Sequence, residues 1–315
     1  MVNANRGIGS SRVAECVLAI AGGGDIGASG TYNSGKKVIG LKLDILGETL
    51  NFHISVGEGR AKLADIVPLA RALCTNITDV VVQRARRDGG RVPCDKGCSP
   101  CCSRYLVPLS VPEAFRFKDE IAAAPAYQRE SVWEACLRAA QLILSQKLPK
   151  PFMHQTEVSP ARPVDLNLVS NWYTSLKLRC PFLYNHVCSI YGQRPLACRE
   201  HFITGSVSAC RGQRGVAKVL DMPVRLPNVL GQLASELEGT GVEAVILPLA
   251  LVWCEENPER AERSWPAEMM VKRFVEIVEA MAKRNLPAVT SRRQTIIGFS
   301  KKRRAANQLC RLSSG

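Results

Sequence analysis

Four thiols stand within nine residues in CDKGCSPCC, positions 94 to 102. Packing gives no reason for such density, since a buried free cysteine behaves as one more small apolar side chain. The segment must be cross-linked or must grip something that binds sulfur. Cross-linking is the weaker account. Disulfide frameworks belong to small secreted domains that cannot build a core, whereas this chain has 315 residues and 46% apolar content. Its thirteen cysteines are an odd number, and a bridge between the adjacent Cys101 and Cys102 would strain the peptide that joins them. Clustered thiols in a chain of this kind point to metal.

Cys94, Cys98, Cys101 and Cys102 follow the pattern C-x3-C-x2-C-C, with Pro93 before it and Gly97 and Pro100 inside. Glycine and proline let a tight loop turn its sulfurs inward. Neighbouring side chains diverge along the backbone, so one of the vicinal pair is expected to serve a different metal, or a different part of a cluster. A second group lies in CPFLYNHVCSIYGQRPLACREHF, which supplies Cys180, Cys188 and Cys198, with Cys210 a little further on. Eight thiols suffice for two four-thiolate centres, or for one cluster and one mononuclear site. Pro181 after Cys180 resembles the Cys-Pro that ends ferredoxin cluster motifs. Between Leu166 and Leu220, Lys177, Arg179, Arg194, Arg199, Arg211, Arg214 and Lys218 face the single acid Glu200. Such an excess suits an anionic thiolate centre, which nearby cations stabilise. His186 and His201 sit within the second group and are candidates for a ligand or for a hydrogen bond to one.

With CDKGCSPCC, CPFL, CSIYGQRPLACR and Cys210 in place, the chain resembles the YkgJ-type cysteine-cluster family, a zinc- or iron-chelating domain named for a CxxCxxCC signature. The likeness runs from about Lys36 to Trp265 and is concentrated in the two cysteine blocks. The first spacing here is x3 and not x2, which leaves Cys94 the least constrained of the four. The resemblance implies chelation by eight cysteines: Cys94, Cys98, Cys101, Cys102, Cys180, Cys188, Cys198 and Cys210. Either zinc or an iron–sulfur cluster fits such a set, with iron–sulfur preferred. Some similar proteins are lysine N-methylases acting on flagellin, which would imply S-adenosylmethionine. The sequence shows no strand, glycine-rich turn and helix with an acidic residue at the distance such a cofactor fold would need.

The rest of the chain reads as an α+β fold, mainly helical, with a small N-terminal β-hairpin and loops pinned by the cysteine–metal centre. KVIGLKLDIL and ETLNFHISV alternate around Gly47 as two strands. Helical spacing marks the segment from Ala64 to the pair Gly89–Gly90, then VPEAFRFKDEIAAA and AYQRESVWEACLRAAQLILSQ, the last with Val132, Cys136, Ala139, Ala140 and Ile143 on one stripe. RLPNVLGQLASELEG and VEAVILPLALVWCEEN are expected to be helical as well. So is WPAEMMVKRFVEIVEAMAKR, with Trp265, Met269, Met270, Phe274, Ile277, Val278 and Met281 on one face. Cys74 and Cys136 are expected in the core. Residues 147 to 163 hold four prolines and read as an extended connector. The division is a flexible leader over 1–35, a metal-binding domain over 36–284 and a partly disordered basic tail over 285–315.

Charge and hydropathy narrow the function classes. Nine of the fourteen excess positive charges lie in the last 33 residues, which contain no acid. Such a tail is commonly a solvated extension, and no aromatic side chains interleave with Lys301–Arg304 to stack on bases. The glycines of GGGDIG in the leader open into turn chemistry and not into a helix, against a dinucleotide site. No apolar run is long enough to span a membrane. Glu15 interrupts the run that would serve as an export signal, so a reducing cytoplasm is expected. Three functions stand open: a metal centre that is structural or electron-carrying, a zinc module that meets nucleic acid through Lys301–Arg304, and an enzyme. In the enzyme, Cys94, Cys98 and Cys101 would leave one iron open, and Arg194, Arg199 and Glu200 would hold an anionic substrate.

Overall fold

The computed structural model describes residues 12–13, 37–146 and 166–284. The proline-rich connector, the basic tail and the GGGDIG stretch lie outside the described residues. Strand β1 (Arg12–Val13) is the one described piece of the leader and runs parallel to β3. Strands β2 (Lys37–Ile45) and β3 (Glu48–Val56) form the expected hairpin, in register from Lys37↔Val56 to Ile45↔Glu48. Its two-residue turn puts Leu46 at φ 51° and Gly47 at φ 85°, the pair of positive values whose twist matches two right-handed strands. Alternation then sends Leu41, Leu43, Ile45, Leu50, Phe52, Ile54 and Val56 to one face, all buried.

That face is covered by helices. Strand β4 (Arg60–Lys62) leads through a 3-10 turn into α1 (Val67–Arg87), which stops just before Gly89, at φ 81°. Next come β5 (Pro108–Ser110), α2 (Val111–Ala122) and α3 (Ala126–Leu144). After the undescribed connector, α4 (Leu166–Ser175) precedes the cysteine-bearing pieces: β6 (Leu183–Tyr184), β7 (Val187–Cys188), α5 (Leu196–Arg199), β8 (Ile203–Gly205), α6 (Val207–Cys210) and β9 (Ala217–Val219). The chain continues with α7 (Leu226–Glu238), β10 (Ala244–Ile246), α8 (Ala250–Glu256), α9 (Pro258–Glu262), β11 (Ser264–Pro266) and α10 (Ala267–Arg284).

The fold is thus mainly helical α+β with small strand pairs, as the sequence implies. Two stretches depart from the helical expectation. Ala244–Ile246 is a strand, antiparallel to Pro108–Ser110, and only the end of that apolar run is helical. Trp265 lies in a strand paired with Ala61, and Met269 on α10 is 40% exposed, so neither belongs to the buried stripe.

Two large apolar cores result, beside a small cluster of Ile143, Tyr173 and Ile246. The larger joins the β2–β3 face to α1, α7 and α10, with Leu73, Leu230 and Phe274 fully buried and Leu196 of α5 at its edge. Each such side chain contributes about 1.5–3 kcal/mol of transfer free energy. The second gathers α2, α8 and part of α3 around Phe115, Phe182 and Leu251, and Cys180 and Cys188 pack against it. Cys74, Cys136 and Cys254 are buried in these cores, in agreement with the packing role expected for Cys74 and Cys136. Cys180 and Cys188 thus border the second core, and Leu196, two residues before Cys198, belongs to the larger one.

Candidate metal centre

Each cysteine segment is held by backbone and carboxylate contacts. In the first loop the Cys98 amide donates to Asp95 O (3.0 Å) and the Cys102 amide to Ser99 O (3.0 Å). Gly97 turns the chain at φ 95°, a conformation closed to most side chains. The Gly205 amide donates to Arg91 O at 2.9 Å, and the Ile203 amide donates to Cys94 Sγ at 3.3 Å, so β8 flanks the start of this loop. The Cys180 amide donates to Cys102 O at 2.7 Å and ties the two groups together. Cys188 sits opposite Leu183 in the β6–β7 hairpin, whose turn residues Asn185 and His186 both have positive φ.

Cys198 is placed by two buried acids. Glu113 of α2 accepts from the Leu196 amide at 2.8 Å through Oε1, and from the Ser110 amide and hydroxyl at 3.1 and 2.8 Å through Oε2. Glu200 accepts from Arg225 Nε and from the Leu226 amide, both at 2.7 Å. The first turn of α5 is thereby fastened to α2, and the residue after α5 to the start of α7. Sequence reading missed Glu113. The S-V-P-E run is a capping-box signature that could have flagged it, but its reach to Leu196, 83 positions away, could not be read.

All eight candidate cysteines line one cavity, together with His186 and His201. Cys101 is their common neighbour: its sulfur bears on the thiols of Cys94, Cys98, Cys180, Cys188, Cys198 and Cys210. Burial pushes the Cys94 thiol up to about 11 and the Cys180 thiol up to about 12, and raises Cys198 further. Cys101 is raised by its hydrogen bond with Cys102 and then by burial. These thiols therefore hold their protons unless something takes the protons' place.

Donor type and shared cavity fit a thiolate-bound metal. One further atom fits as well: His201 Nε2 is buried and meets no hydrogen-bond partner among the described residues. The His201 ring lies 4.4 Å from that of Tyr105, and burial lowers its pKa, which favours the neutral imidazole. His186 instead pairs with Ser99 Oγ at 3.4 Å through Nδ1. Among the described residues no three His, Cys, Asp or Glu side chains are already arranged to hold one ion. Metal capture would require the sulfurs to turn toward one another as their protons leave.

Of the three residues assigned to an anionic substrate, two are committed elsewhere. Glu200 is buried against Arg225 and Leu226. Arg199 donates to Arg194 O at 3.0 Å and to Gly192 O, and its guanidinium braces that loop. Arg194 lines the cavity, stacked 3.7 Å over the Tyr191 ring and held by Nε to Tyr191 O.

A cavity walled by eight free thiols from two remote loops defines a cysteine-rich domain suited to chelation. Residues 93–213 match the family profile CxxCxxCC, described as a putative zinc- or iron-chelating domain, and over that span the chain carries a domain of this cysteine-cluster family. No curated protein and no solved structure matches the chain. Among the described residues no helix is long and apolar enough to cross a membrane.

Proposed function

We propose that this protein chelates metal through Cys94, Cys98, Cys101, Cys102, Cys180, Cys188, Cys198 and Cys210, as iron–sulfur in preference to zinc, in a reducing cytoplasm. The observation that carries the reading is that all eight thiols, from loops about 80 residues apart in the chain, open onto one cavity. The cationic surroundings and Pro181 after Cys180 support it. The metal's contribution is to replace the thiol protons and to strengthen the link between loops that the Cys180 amide already joins to Cys102 O. Anaerobic purification followed by metal and sulfide analysis, with visible and electron paramagnetic spectra, tests it. Iron, sulfide and broad visible absorption are expected. Zinc alone would correct the metal and keep the chelation, whereas protein that retains neither metal would refute both.

A second reading, an enzyme whose centre faces a small ligand, has one observation in its favour. The cavity continues past the sulfurs to Arg194, whose Nη atoms meet no carboxylate among the described residues, and to the apolar side chains of Leu106, Phe182 and Leu247. An anionic compound that perturbs the spectrum of the loaded wild type, but not that of Arg194→Gln, would favour this reading.

A further inference from the structure

The eight thiols are not equally rooted. Cys180 and Cys188 pack directly against the second core, beside Phe182, which is 1% exposed. Cys198 follows Leu196, 0% exposed and part of the larger core, on the short helix that Glu113 and Glu200 fasten. Cys94, Cys98 and Cys210 belong to neither core. Cys94 and Cys98 sit on a loop that β8 flanks by backbone contacts and that turns at Gly97 (φ 95°), and Cys210 ends the four-residue helix α6, just before the turn at Gly212 (φ 72°).

The sulfurs divide along the same line. Cys94 is influenced by Cys98, Cys210 and Cys101, and Cys210 by Cys101 and Cys98. Cys198 is influenced by Cys180, Cys101 and Cys188. The outer trio is thus Cys94, Cys98 and Cys210 and the inner trio Cys180, Cys188 and Cys198, with Cys101 beside both. Each trio also has its own cation: Arg211 acts on Cys98, while Arg194 acts on Cys188 and Cys198.

We infer that the cavity holds two centres of unequal permanence: an inner one on Cys180, Cys188 and Cys198 that is part of the folded core, and an outer one on Cys94, Cys98 and Cys210 from which metal exchanges, with Cys101 and Cys102 giving one thiol to each. This rests on the chelation reading and assigns it a division of labour. Ligands that diverge at the vicinal pair make two four-thiolate sites without sharing a sulfur. The inner site loses its ion only when packed side chains move. The outer site opens by loop motion alone, as a centre that passes metal to another thiol-bearing acceptor or chelator would need.

The test uses the full chain, stripped of metal under reducing conditions and reloaded with zinc. Two zinc ions per chain are expected, and a colorimetric chelator should remove one at least about tenfold faster than the other, because only one site opens without unfolding. The Cys98→Ser/Cys210→Ser variant should retain one zinc, the slow one, with an unchanged circular dichroism spectrum. Cys180→Ser/Cys188→Ser should lose the slow zinc, and if it also unfolds, the outer variant alone decides the matter. Two zinc ions leaving in a single phase, or an outer variant that stays folded and binds none, would overturn the inference while leaving chelation intact. A wild-type chain that takes up no zinc and no iron would instead sink the chelation reading itself.

Discussion

Glu113 is the residue on which the placement of the site turns most sharply. Its carboxylate satisfies two backbone amides and a hydroxyl, and it is 1% exposed, so truncation strands donors where water does not reach. Glu113→Ala is expected to lower stability by about 2–4 kcal/mol in urea denaturation, and Glu113→Gln, which keeps one acceptor oxygen, by about half as much. Both should also weaken metal retention, because the released amide opens the helix that carries Cys198. Equal losses for the two variants, or none, would show that the amides find other partners. The contrast with the cysteines shows what a sequence displays at this scale. Eight thiols announce themselves by crowding and chemical type. A lone glutamate in a helix start displays only its local cap and nothing of its remote partner.

Among elements, legibility followed periodicity. Helix α3 was plain because Val132, Cys136, Ala139, Ala140 and Ile143 recur at helical spacing, and all five are buried. The β2–β3 hairpin was plain because apolar residues alternate about a glycine. The run from Ala244 was not, since an unbroken apolar stretch carries no period, and its strand character comes from pairing with Pro108–Ser110, more than 130 positions earlier. The hairpin turn carries its own prediction. Leu46 adopts a left-handed conformation that a leucine accepts at a penalty, while its side chain is 44% exposed and contributes little packing. Leu46→Asn, which supplies the Asn-Gly pair favoured in such turns, should stabilise the protein by about 1 kcal/mol, read as a raised urea midpoint with unchanged slope. A fall in the midpoint would mean that Leu46 packs more usefully than its exposure indicates.

At the scale of the whole molecule the charge distribution separates site from scaffold. Helices are laced by pairs such as Arg71–Glu120, Arg260–Glu238 and Arg273–Glu236. Arg91, Lys96, Arg104, Lys177, Arg179, Arg211, Arg214 and Lys218, all in or beside the cysteine loops, make no ion pair among the described residues. Without anionic metal–thiolate centres these cations repel one another, and salt relieves the repulsion. The metal-stripped protein should therefore gain about 2–5 °C in Tm between low and high salt, and the loaded protein distinctly less. Identical salt responses would show that the cations face solvent and not the site. The sequence displayed this excess of charge and the two cysteine groups, but not their meeting point.

The brevity of α5 has a consequence for assembly. Four residues long, fastened at its first residue to an acid of α2 and just past its last residue to the start of α7, it cannot slide, lengthen or rotate without breaking an attachment. Docking α2 against α7 therefore fixes where Cys198 stands, whatever the state of the other sulfurs.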